Sequence, residues 1–232
     1  MSKPPVPNQD VENFLATVRA TKPPASVSEE PHRILFALDA TASRDPTWDL
    51  AMSLHAELFQ AVADEGASST QVAVQLVYYR GYNEFHASPW STSPASLLQH
   101  MTGVACRGGM SQIGRVLGHT LAESKRAPVK AAVFVGDACE EPPGVVNAAA
   151  GRLALFKVPL FVFQEGHDPI AAQVFRSIAR ITGGAHAPFT PGSADQLRAL
   201  FGAVARYAAH GRDGVREIDH DVARGLLAQL PR

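Results

Sequence analysis

The sequence predicts an α/β fold, with a mostly parallel sheet held between helical layers. Three observations lead there. Strand-like and helix-like segments alternate from Arg33 to about His210. Two strand-like runs, Ile34-Leu35-Phe36-Ala37-Leu38 and Ala131-Ala132-Val133-Phe134-Val135, are apolar at every position, which marks strands covered on both faces. Helix-start signals recur between the runs: Asp45-Pro46, Asp168-Pro169 and Ser193-Ala194-Asp195-Gln196.

Taken in order, residues 1–30 read as a flexible arm. Five prolines there flank one weak helical face, Val11, Phe14, Leu15 and Val18, suited to a docking helix. Residues 31–210 form the main domain. After the first strand, Ala51, Leu54, His55, Leu58, Phe59 and Val62 share a helical face. Gln71 to Tyr79 is the second strand, and the short polar Tyr82 to Phe85 belongs at an edge. Helices are expected over Ser96–Met101 and Ser111–Ser124, then the strand Ala131–Val135. The rhythm repeats with a helix over Val145–Phe156 and a strand over Leu160–Phe163. A helix opened by Asp168 and closed by Gly183-Gly184 comes next, then a short strand over Ala185–Pro188. A capping box at Ser193 starts a helix through Val204. Residues 211–232 read as a charged tail with a helix over Val222–Leu230.

Composition narrows the function. Lys plus Arg number 21 against 22 Asp plus Glu, which argues against nucleic acid or an acidic membrane as the main partner. No apolar run approaches a membrane span, and Met1 to Gln9 lacks the apolar core of a secretory signal. Two cysteines, Cys106 and Cys139, fit reduced thiols in a cytoplasmic protein. The nine histidines show no paired metal spacing, so no zinc site is expected.

Three separated stretches carry the chemistry: Asp39-Ala40-Thr41-Ala42-Ser43, Gly108-Gly109-Met110-Ser111 and Gly136-Asp137-Ala138. The first and third follow the two apolar strands, and the second opens a helix. In a parallel sheet, sites form beyond the carboxyl ends of strands where the strand order reverses. Two carboxylates and three hydroxyls converging there make a hard, oxygen-only ligand set suited to a small divalent cation that keeps some water.

On these motifs the chain resembles the von Willebrand factor type A (VWA) domain, over about Arg33 to His210, in the manner of bacterial-type cytosolic members. The resemblance implies a doubly wound sheet with one antiparallel edge strand. It also implies a metal-ion-dependent adhesion site of the Asp-x-Ser-x-Ser kind, with a Thr from a second loop and a later Asp. Thr41, Ser43 and Ser111 would then offer hydroxyls to Mg²⁺ (or Mn²⁺ or Ca²⁺), while Asp39 and Asp137 neutralise charge directly or through water. Such an ion would take its last ligand from an acidic residue of a partner protein, in an ATPase or chaperone-type assembly by family analogy. The chain departs from the pattern at Ala42, Arg44, Met110, Gly136 and Ala138.

Some residues carry two readings. Ser111 is a metal ligand or the N-cap of its own helix. Glu140 and Glu141 are a solvated loop or an acidic rim, and Arg44 and Met110 belong to the same partner-binding rim. Gln164 and Glu165, at a strand end, could support the site. Tyr78, Tyr79, Arg80 and Tyr82 read as a strand-end rim. The leading function is a metal-dependent protein-binding adaptor rather than an enzyme. One rival resembles the haloacid dehalogenase phosphohydrolases, with Asp39 as nucleophile. Another is a degenerate VWA scaffold that binds no metal.

Overall fold

The computed structural model describes residues 31–48, 71–190, 193–218 and 220–231. Contacts divide the chain into Met1–Glu30 and Pro31–Arg232. The docking helix expected within residues 1–30, and the helical face from Ala51 to Val62, lie outside the described residues.

Six strands build one sheet: β1 (His32–Asp39), β2 (Val72–Arg80), β3 (Glu84–Ala87), β4 (Val129–Gly136), β5 (Leu160–Glu165) and β6 (His186–Phe189). Their spatial order is β3-β2-β1-β4-β5-β6. Among these six strands, only the β2–β3 pairing is antiparallel, which makes β3 the antiparallel edge strand. Among the described residues the helices are α1 (Pro94–Met101), α2 (Ile113–Arg126), α3 (Pro143–Ala154), α4 (Pro169–Thr182), α5 (Ala194–Arg216) and α6 (Asp221–Gln229), with a 3-10 helix at Ala42–Thr47.

The apolar runs form the two central strands because both faces of each are covered. Ile34, Phe36 and Leu38 of β1 join a core with α1, α5 and α6. Leu35 and Ala37, on the alternate face, pack with α2, α3 and α4. The aromatic rings interlock, with Phe36 edge-on to Phe201 at 5.4 Å and Phe134 edge-on to Phe175 at 5.6 Å. Burying each such side chain stabilises the fold by roughly 1.5–3 kcal/mol.

Four expectations need correction. The chain after β1 tightens at once into the 3-10 helix, with Thr41 at its N-cap and Pro46 inside, so Asp45 lies within a helical turn and not at an N-cap. The β2–β3 hairpin turns through Gly81-Tyr82-Asn83, which delays the edge strand to Glu84. No capping box forms at Ser193. Its hydroxyl bonds that of Thr190 at 2.8 Å, and Gln196 reaches the Pro188 carbonyl instead. Residues beyond 210 are not a separate tail. The helix path breaks at Gly211 (φ 65°, ψ −150°), and the chain returns to bury Val215, Ala223, Leu226 and Leu230 in the main core. By contrast, Asp168 caps α4 through a 2.6 Å bond from the Ala171 N–H.

Candidate functional site

The strand order reverses between β1 and β4, so the carboxyl ends of these two strands open the crevice where ligands gather in such sheets. Leu38 faces Val135 across the ladder. Asp39 therefore follows beside Gly136, and Asp137 stands one residue further on, across a strand spacing of about 4.8 Å. A side chain at Gly136 would press on Asp39: a Cβ there would sit 3.3 Å from the Asp39 Cβ and 2.7 Å from the Phe134 ring. The residue types at the ends of β1 and β4 are thus mutually constrained.

Asp39 is 1% exposed, and both its oxygens are engaged. Oδ1 accepts the Thr41 N–H at 2.8 Å, and Oδ2 accepts the Tyr79 hydroxyl at 2.8 Å. Burial pushes its carboxyl up to about 6, against the lowering effect of the bonds from Thr41 and Tyr79 and of the Arg44 charge. Burial, with the neighbouring Asp39 charge, raises the Tyr79 phenol well above its usual value. Tyr79 pairs with Asp39 across the β1–β2 ladder, so it belongs to the core and not to the expected rim. Its role needed the strand register, which no local motif announces.

The Thr41 and Ser43 hydroxyls lie 3.1 Å apart at the mouth of this loop. Arg44 is not on a rim. Its side chain is 1% exposed and turns inward beneath the loop. Nη1 donates to the Asp39 carbonyl at 2.7 Å, and Nε and Nη2 reach Glu165 Oε2 at 2.9 and 2.7 Å. The ends of β1 and β5 are thereby tied together. The pairing satisfies a guanidinium and a carboxylate that would each be costly to bury alone.

The second loop rests on the β2–β3 turn. Gly109 lies so close to Gly81 that a Cβ would fall 1.9 Å from the Gly81 carbonyl oxygen. Met110 is 48% exposed. Ser111 is buried and does not cap α2, which begins at Ile113. It bonds Glu140 reciprocally: the Ser111 N–H donates to Oε2 at 2.8 Å, and Ser111 Oγ accepts the Glu140 N–H at 2.9 Å. Glu141 reaches the N-terminus of α2 and accepts the Ile113 and Gly114 N–H groups. The two glutamates are therefore braces between the second and third loops, and only Glu140 is exposed.

Asp137 differs from all of these. Its Oδ1 is buried with no hydrogen-bond partner among the described residues. An orphaned carboxylate oxygen is a donor of the kind a hard divalent cation takes. Among the described residues, no three His, Cys, Asp or Glu side chains gather in a group that could hold a metal, so a cation here would depend on the hydroxyls. Cys106 and Cys139 are free thiols, and burial pushes Cys106 up to about 11.

No family model matches the chain, and no curated protein matches it. Solved structures do. A von Willebrand factor type A protein from Catenulispora acidiphila superposes with a TM-score of 0.61 at 16% identity, over 77% of this chain. This chain spans 43% of that protein. The SpRpn10 VWA domain gives 0.60 at 11% identity, covering 73% of this chain and 95% of that one. The vWF domain of the type V pili tip protein Mfa5 from Porphyromonas gingivalis gives 0.57 at 12%, covering 78% and 96%. Likeness at such identities carries the fold alone, and the chain has the fold of the von Willebrand factor type A domains.

Proposed function

We propose that the chain is a protein-binding module whose carboxyl-edge site holds a divalent cation, Mg²⁺ first among the candidates. Thr41, Ser43 and Ser111 would supply hydroxyl oxygens, and Asp39 and Asp137 the balancing charge. When bound, the cation supplies an electrophilic centre for an acidic side chain of the partner. The protein's own part is to hold the oxygens still. Asp39 fixes the Thr41 backbone, Arg44 and Glu165 pin the loop from below, and Glu140 ties Ser111 to the loop that carries Asp137. The single observation that carries the reading is the buried, unbonded Asp137 Oδ1 at the point of strand-order reversal.

The VWA-fold neighbours include the SpRpn10 VWA domain, the human COPII-coat protein Sec24c and pilus proteins, which favours a protein partner. A cytoplasmic assembly with an ATPase or chaperone-type machine fits the two free thiols. The phosphohydrolase reading is weaker, because an Asp39 that is 1% exposed and bonded at both oxygens offers no accessible nucleophile. A metal-free scaffold draws support from the same engaged carboxylate and from the buried Arg44.

Thermal melting with Mg²⁺, Mn²⁺, Ca²⁺ or chelator separates these readings, since a ligand that binds only the folded state raises the melting point. The metal-dependent reading expects a rise that Asp137→Ala abolishes. Identical melting in every condition favours the scaffold.

A further inference from the structure

Two cavities lie at the far edge of the sheet, along β6. There α4, from the layer on one face, and α6, from the layer on the other, flank the strand. A trough of about 520 Å³ opens between them, walled by Arg176, Ser177 and Arg180 of α4 and by Gln229 of α6. A second cavity of about 280 Å³ also borders Arg176 and extends to Pro169 at the start of α4 and to His186 and Pro188 on β6. From Pro169 to Arg180, α4 rises roughly 16 Å. Among the described residues, no aspartate or glutamate lines either space.

Arg176 and Arg180 are exposed, one helical turn apart, and have no ion-pair partner among the described residues. Several other arginines are matched to carboxylates: Arg44 to Glu165, Arg126 to Glu123, Arg216 to Asp213 and Arg224 to Asp221. Two guanidinium forks beside a neutral, polar wall form a receptor for carboxylates. Side chains one turn apart have Cβ atoms about 5–6 Å apart. Alternate residues of an extended strand repeat at about 6.6 Å. The spacing therefore suits acidic residues at every second position of an extended segment.

The outer backbone of β6 is already engaged. The Gln229 side-chain amide takes both the N–H and the carbonyl of His186, at 3.0 and 2.9 Å. Pro188 has no N–H, and its carbonyl accepts from Gln196 at 3.1 Å. A peptide in the trough would thus be read through its side chains and not added as a seventh strand.

We propose that this trough binds an extended acidic peptide segment of a partner protein, independently of any cation at the carboxyl edge. The test uses the full chain in chelator and a fluorescein-labelled peptide of alternating Glu and Ala, read by anisotropy. A peptide of the same length with Gln in place of Glu is the control. Wild type should bind the Glu peptide in chelator, with affinity falling as salt rises. The Arg176→Ser/Arg180→Ser double variant should bind at least tenfold more weakly. Ser177→Glu, which sets a negative charge between the two arginines, should weaken binding similarly, and Arg126→Ser on distant α2 should not. Equal binding of the Glu peptide by the double variant, equal binding of the Gln peptide by wild type, loss on Arg126→Ser, or no binding at low salt would each overturn the proposal. Because chelator is present throughout, none of these outcomes bears on the metal site.

Discussion

Asp39 and Asp137 end neighbouring strands one residue out of step, yet the fold uses them differently. Asp39 is sealed from solvent, with one oxygen on its own loop and the other on Tyr79. Asp137 keeps a buried oxygen with no protein donor among the described residues. The first carboxylate is part of the architecture, and the second is the one on which the proposed cation site would draw. The comparison predicts a division of effects. Changes around Asp39 should act on stability, and changes at Asp137 should act on ligand binding.

The largest effect should come from beneath the first loop. Arg44→Ala strands the 6%-exposed Glu165 without its partner and should cost about 3–5 kcal/mol in urea unfolding, as breaking a buried pair does. Arg44→Ala unfolding within 1 kcal/mol of wild type would break the architectural side of the comparison.

Next is acidity, measured in chelator. The Asp39 carboxyl titrates near 6 in the fold, against an ordinary 3.8, so the folded state holds that proton more tightly. Its ionised form opposes folding above about pH 6, by up to about 3 kcal/mol, and the penalty is relieved as pH falls from 6 toward 3.8. His186 runs the other way. Burial, with the nearby Arg176 charge, lowers it from 6.5 to about 4, so its contribution is present above 6.5 and lost as pH falls toward 4. On going from pH 7 to pH 5, Asp39→Asn should lose more stability than wild type and His186→Gln less. Urea midpoints at the two pH values decide the matter, and parallel shifts in all three proteins would contradict it.

Smaller again, Tyr79→Phe removes one donor from a buried carboxylate and should cost about 1–3 kcal/mol. Smallest, Glu141→Ala uncaps α2 from across the loop and should cost about 1 kcal/mol. Thermal melts resolve both, and a Glu141→Ala loss exceeding that of Tyr79→Phe would reverse the ranking.

The frame of the site was legible because buried parallel strands leave continuous apolar runs, and the loops beyond them must carry whatever the crevice binds. What escaped reading depends on distance along the chain. Arg44 looked like a rim charge because Glu165, its neutralising partner, is 121 positions away. Glu140 and Glu141 looked solvated because the amides they accept from belong to residues 27 to 29 positions earlier. Tyr79 became a site residue only through its register with Asp39. The stretch after Gly211 was judged by its charges, although Leu226 and Leu230, four apart, marked a helical face that the core covers.

The most direct test is calorimetric titration of Mg²⁺ into wild type and Asp137→Ala after chelator treatment. The account predicts one ion bound per wild-type chain and none by Asp137→Ala, whose urea stability without metal stays within about 0.5 kcal/mol of wild type. Equal Mg²⁺ binding by the two proteins, or none by wild type with Mg²⁺, Mn²⁺ or Ca²⁺, would contradict it.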